Sequence, residues 1–143
     1  MSQGAAPETS ASSRDLIVRA ARSMIGLYSY DPKGKRGSGY LDDKVMDCSE
    51  FVYQAYLQAG FGKFPVLNSH GIASASDFTA VKDPLPGDIV YWSHGHVAID
   101  EDPATGEFIG SQSSTGPARS NYKTNVYWKA RLGRKFFRWN LLP

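Results

Sequence analysis

The stretch VMDCSEFVYQAYLQAG, Val45 to Gly60, decides how the rest of the chain is read. It carries Cys48, the single cysteine among 143 residues. Phe51, Val52, Ala55, Tyr56 and Ala59 recur at the three-to-four spacing of a helix buried along one face, and Gly60 supplies a stop. Asp47 is a good N-cap, with Glu50 three residues on, as in a capping box. Cys48 is then the first helical residue, where unpaired backbone N–H groups and the positive end of the helix dipole favour a thiolate. Two readings stay open: a nucleophile held at a helix start, or a thiol that fills core space.

Working outward, residues 1 to about 12 read as a flexible lead, and 13–143 as one domain of a size that supports one core. SSRDLIVRAARSMIG (12–26) predicts a helix capped by Ser12 or Ser13 and ended by Gly26, with Leu16, Ile17, Ala20, Ala21 and Met24 inward. YSYDPKGKRGSGYLDDK (28–44) is a long loop, and loops of that length are often functional. NSHGIASASDFTAV (68–81) suits a short helix capped by Asn68 or Ser69. From Pro84 onward, DIVYW, HVAID, EFIGSQS and KFFRW are β-prone runs between turn signals such as SHG and DPATGE. Helices followed by strands indicate an α+β fold, its N-terminal helices packed on an antiparallel sheet.

Composition excludes several classes. One cysteine leaves no intramolecular disulfide and no multi-cysteine zinc site, and His70, His94 and His96 lack the spacing of a zinc-protease helix. No metal and no cofactor is implied. A net charge of +2 gives no argument for nucleic acid, and the basic run KARLGRKFFRW (129–139) reads as a solvated edge strand. No segment approaches the roughly 18 apolar residues of a membrane span, so no membrane insertion is expected. The N-terminus lacks the basic and apolar regions of a secretory signal. Monomer is the default assembly. Tyr91, Trp92, Tyr122, Tyr127 and Trp128 could stack on sugars, although most read as packing residues.

A nucleophilic cysteine needs a base, most often histidine. His96 begins the alternating strand HVAID, with Val97 and Ile99 on the opposite face. On the sheet side that meets the cysteine helix it could reach the thiol. His94 lies in the turn SHG and reads as solvent-facing, and His70 as a surface residue.

Several fragments, in order, resemble one family. DCSEF resembles the D-C-S-G-F nucleophile motif of the NlpC/p60 cysteine peptidases, LPGDIVYW their P-G-D strand, and HVAID the strand carrying their base. GLYSY resembles a shortened form of their G-x-P-Y-x-W segment. Together these cover about Leu16 to Gln112. The resemblance implies a papain-like fold and hydrolysis of amide bonds in bacterial peptidoglycan stem peptides, next to D-glutamate or diaminopimelate. It implies Cys48 as nucleophile, its backbone N–H as an oxyanion donor, His96 as base, and Tyr28 and Ser49 as substrate contacts. Three departures stand out. Glu50 replaces a glycine, bringing an acid near the groove. The GLYSY segment lacks its proline and tryptophan. Gly110 stands where the family carries its third, orienting residue, commonly histidine. Strand parity makes Gln112 the substitute, Ser111 serves if a bulge shifts the register, and the strand could also supply no orienting residue.

Without an export signal, a small hydrolase of this type resembles antibacterial effectors injected by type VI secretion machines, which act in a target cell's periplasm; phage hydrolases and autolysins are competing contexts. The effector reading implies a cognate immunity protein as partner beside the peptidoglycan peptide. Two alternatives have different chemistry. One is a papain-like lipid acyltransferase, which would place histidine before cysteine. The other is an inactive wall-binding module, against which the retained Cys48 and His96 argue.

Overall fold

The computed structural model describes residues 12–31 and 44–143. The lead expected over 1–12, apart from Ser12, and residues 32–43 of the expected loop lie outside the described residues.

Helix α1 (Ser13–Ser23) starts on a reciprocal cap. Ser12 Oγ accepts from the Asp15 N–H at 3.1 Å, and the Asp15 carboxylate accepts from the Ser12 N–H at 3.4 Å. Its buried face is Ile17, Val18, Ala20, Ala21 and Met24. Leu16, expected inward, is 38% exposed and Val18 takes its place at the opposite border of the arc that Ile17, Ala20, Ala21 and Met24 define. Helix α2 (Cys48–Gln58) packs against α1, burying Phe51, Val52, Ala55 and Tyr56 completely, with Ala59 half-buried at its end. Removing such side chains from water stabilises the fold by roughly 1.5–3 kcal/mol each.

Both helices lie on one sheet. Its strands are β3 (Phe78–Val81), β4 (Ile89–Trp92), β5 (His96–Asp102), β6 (Glu107–Gln112), β7 (Gly116–Asn121) and β8 (Lys135–Trp139), all antiparallel, in the order β3-β8-β4-β5-β6-β7. Two-residue strands β1 (Ser29–Tyr30) and β2 (Val45–Met46) pair in parallel and lead into Asp47. Helices α3 (Ser69–Ser74) and α4 (Val126–Ala130) are single short pieces. The α+β architecture with an antiparallel sheet is therefore as expected.

Each sheet face has its own cluster. Ile89, Val97, Ile99, Ile109 and Phe137 face the helices. Val90, Trp92, Ala98, Phe108 and Tyr122 face the other way and are covered by Trp128 of α4, whose ring stands 4.7 Å from Trp92. Strand alternation makes both sets from the same runs.

Three further expectations change, and two elements had not been foreseen. The helix over 68–81 stops at Ser74, since Phe78–Val81 pairs with Phe136–Trp139 as β3. The basic run is no edge strand: β8 lies between β3 and β4, and the edges are β3 and β7. Arg138 on β8 instead pairs with buried Asp88 at 2.7 Å. Strand β7 reads GPARSN, too polar and glycine-proline-rich to announce itself, and α4 is too short to show helical periodicity. Glu50, expected near the groove, is buried, with Gln54 Nε2 at 3.4 Å from its carboxylate.

Candidate active site

The cysteine sits where the helix cap puts it. Asp47 adopts extended backbone and its Oδ1 accepts from the Glu50 N–H at 2.8 Å. Cys48 is the first residue of α2, 7% exposed. Its thiol contacts the carbonyl oxygen of Gly95 at 3.7 Å. Gly95 ends the three-residue turn of the β4–β5 hairpin, whose closing pair is Trp92 and His96; its φ of +103° suits glycine. The thiol thus meets the chain one residue before His96.

His96 comes to that point by an unexpected route. Its side chain is on the Trp92 face of the sheet, not the face on which α2 packs; Val97 and Ile99 take the helix side. The ring lies 5.0 Å from Trp128 and 5.5 Å from Trp92. The link between the two is the turn itself: α2 begins beside Gly95, the residue before His96. Burial lowers the His96 pKa to about 3, neighbouring His94 adds to the drop, and Gln112 opposes it. The ring is therefore neutral.

Gln112 faces the same ring. Its Nε2 donates to the Ala118 carbonyl on β7 at 3.2 Å, so its Oε1 must point the other way. Oε1 and His96 Nε2 are both buried, and neither closes a regular hydrogen bond in this resting geometry. Both border the space above Gly110: a Cβ there would lie 2.9 Å from Gln112 Oε1, 3.4 Å from His96 Nε2 and 2.9 Å from Ala98 Cβ. Gly110 is the gap through which the amide faces the imidazole. An amide oxygen that closed on Nε2 would favour the tautomer with its proton there and Nδ1 as the basic nitrogen. Ser111 faces the opposite side, its hydroxyl donating to the Met46 carbonyl at 3.0 Å.

A cleft of about 520 Å³ opens on this end. Tyr30, His94, Gly95, His96, Gln112, Tyr127 and Trp128 are in its wall, which contains no acidic residue among the described residues. Trp92 and Tyr122 are packing residues, while Tyr127 is half-exposed with Arg131 over its ring at 4.3 Å. Tyr28, the substrate contact implied by the resemblance, packs partly buried against the helix-side core with the Lys44 ammonium 6.0 Å from its ring, and Tyr30 occupies the cleft wall. Ser49 is turned away: it is 2% exposed and donates to Asp47 Oδ1 at 3.0 Å, so its side chain offers substrate nothing. His94 is exposed, as expected. His70 is also exposed, yet its Nδ1 is 3.2 Å from the Tyr91 hydroxyl, a pairing that sequence reasoning missed because the partners come from different elements.

Comparison with known proteins bears on the family and the fold. A family model described as NlpC/P60 family matches residues 27–135. A peptidoglycan DL-endopeptidase, CwlO of Bacillus licheniformis, is 25% identical over 132 residues, covering 90% of this chain and 28% of that protein. The chain thus spans under a third of the length of this curated relative. NlpC1 from Trichomonas vaginalis superposes with a TM-score of 0.64 at 17% identity, over 96% of this chain and 45% of that one. A Staphylococcus aureus protein described as similar to lipoprotein, NLP/P60 family, gives 0.61 at 17% identity, over 86% and 40%. From DCSEF at the start of α2 to HVAID in β5, motifs and fold agree: the chain belongs to the NlpC/P60 family.

Proposed function

We propose that this protein is a cysteine hydrolase of amide bonds in peptidoglycan stem peptides, of the endopeptidase type named for its relative. The observation that carries the reading is the convergence of Cys48, at a helix start, with the Gly95–His96 corner that Gln112 Oε1 faces. In the resting state the sulfur lies 3.7 Å from the Gly95 carbonyl oxygen, so turnover begins with rotation of the side chain toward His96 Nδ1. Nδ1 takes the proton, and the thiolate, favoured by the α2 N-terminus, adds to the scissile carbonyl. The Cys48 N–H is one donor to the resulting oxyanion. Collapse breaks the C–N bond as the imidazolium returns its proton to the leaving amine. Water, deprotonated by the same nitrogen, then hydrolyses the thioester. Gln112 is a positioning residue: its oxygen accepts from Nε2–H and stabilises the imidazolium against the desolvation that otherwise disfavours it.

Purified peptidoglycan digested by the wild type and by Cys48→Ala, read by mass spectrometry, tests this. New peptide termini with the wild type alone are expected, and their masses identify the bond. Identical fragment patterns, with a thiol inert to iodoacetamide at neutral pH, would leave a binding module.

A further inference from the structure

The Gly95 turn has a second imidazole beside it. Tyr91 pairs with Val97 across the β4–β5 hairpin and shares the helix-side face, opposite Trp92 and His96. Its hydroxyl meets His70 Nδ1 at 3.2 Å, and the His70 ring stands edge-on to it. From there the ring reaches back to the turn: a Cβ on Gly95 would lie 3.2 Å from His70 Nε2 and 3.6 Å from Ser69 Oγ. Gly95 is also the residue whose carbonyl the Cys48 thiol contacts. One glycine is therefore flanked by His96, by the nucleophile and by His70.

The tautomer of His70 follows from its partner. Tyr91 is almost buried, and no other acceptor among the described residues meets its hydroxyl, so the phenol donates into Nδ1. Nδ1 is then the acceptor, and the proton resides on Nε2, at the Gly95 edge of an exposed ring. An N–H oriented by a buried tyrosine, on a short helix that Asn68 caps through the Gly71 N–H at 2.7 Å, is a preorganised donor.

We propose that His70, oriented by Tyr91, is a substrate-binding residue that forms the far wall of the site and donates its Nε2–H to an oxygen of the stem peptide beside the scissile bond. The oxygen is a backbone carbonyl or a carboxylate, which the same donor serves. The inference rests on the peptidoglycan reading for the identity of its ligand.

The test is calorimetric titration of Cys48→Ala, which cannot turn over, with a purified disaccharide-tetrapeptide, alone and combined with His70→Ala. Binding about ten-fold weaker without His70 is expected, as for a lost hydrogen bond in a desolvated site. His70→Gln, which keeps a donor, should recover part of the loss, and Tyr91→Phe should weaken binding two- to five-fold, both roughly scaled from that bond. Equal affinity with and without His70 overturns the proposal, and no binding to Cys48→Ala overturns it together with the functional reading. In the active protein, His70→Ala should raise KM about ten-fold with kcat and the rate of Cys48 alkylation unchanged. Loss of alkylation would make His70 a base and overturn a binding role. If the wild type cleaves and His70→Ala matches it, this inference alone fails; if nothing is cleaved but binding depends on His70, the hydrolase reading alone fails. An amidated peptide that no longer distinguishes the variants identifies the oxygen as carboxylate, and an unchanged ten-fold difference identifies a carbonyl; either result supports the donor.

Discussion

In the proposed mechanism, Gln112, with the glycine at 110 beside it, takes the orienting role toward His96. A glycine at 110 leaves the sheet face open, and the amide two residues on fills that opening with its oxygen toward His96. Gly110→Ala would place a methyl 2.9 Å from both Gln112 Oε1 and Ala98 Cβ, closer than packed atoms tolerate. We expect kcat/KM to fall about ten-fold through displacement of the amide, and Gln112→Ala to cost roughly 10–100-fold. Gln112→Glu sets a carboxylate beside His96, raising the ring pKa and moving the pH profile of Cys48 alkylation upward. A profile that is the same in wild type, Gln112→Ala and Gln112→Glu would mean that Gln112 only packs.

Among the elements, the P-G-D turn ahead of β4 is the joint. Gly87, at φ +92°, donates to the Asp100 carbonyl at 2.8 Å and accepts the Tyr56 hydroxyl at 2.6 Å, tying α2 to β5. Asp88 is fully buried and accepts from Arg14 on α1 at 2.9 Å, from Arg138 on β8 at 2.7 Å and from the Leu85 N–H at 2.8 Å. A second carboxylate repeats the device: Glu101, at the irregularity in β5, joins Arg22 of α1 at 2.6 Å and Arg119 of β7 at 2.7 Å. These clamps press α1 and α2 onto the sheet and so set the distance from Cys48 to β5. Asp88→Ala strands two guanidiniums and an N–H, and should cost about 2–4 kcal/mol, less than a fully buried pair because both arginines reach solvent. Urea unfolding measures it; a midpoint within error of wild type would make the cluster ornamental to stability.

Over the whole molecule, two buried groups on one face titrate against folding. Burial holds His96 neutral down to about pH 3, whereas an unfolded chain protonates near 6.5, so its share of stability is lost as pH falls from 6.5 toward 3. Asp100 behaves oppositely. Burial first, opposed by the Tyr122 hydroxyl, raises its pKa from 3.8 to about 7, so stability present below pH 3.8 is lost as pH rises through 7. Between about pH 4 and 6.5 the two slopes oppose, and above that range Asp100 acts alone. Asp100→Asn keeps an acceptor for Tyr122 and cannot ionise. Its melting temperature relative to wild type should rise from pH 3.5 to pH 8, by about 3 °C or more in all. A difference that does not vary with pH would refute a neutral Asp100.

What the sequence by itself determined is local in its physics. The capped α2 with Cys48 at its start, the alternation of HVAID and the shared face of Gly110 and Gln112 all follow from helical and strand periods that neighbours in the chain obey. The family and the α+β class were legible from those same stretches. Tertiary structure decided the rest. Only the strand order places KFFRW inside the sheet and pairs GPARSN as an edge, since pairing partners far away in the chain override weak local propensity. Only packing turns Ser49 inward and brings Tyr30 to the cleft. The meeting of Cys48, His96 and His70 around Gly95 depends on where a helix start falls against a hairpin end, a relation between distant segments that no single stretch encodes.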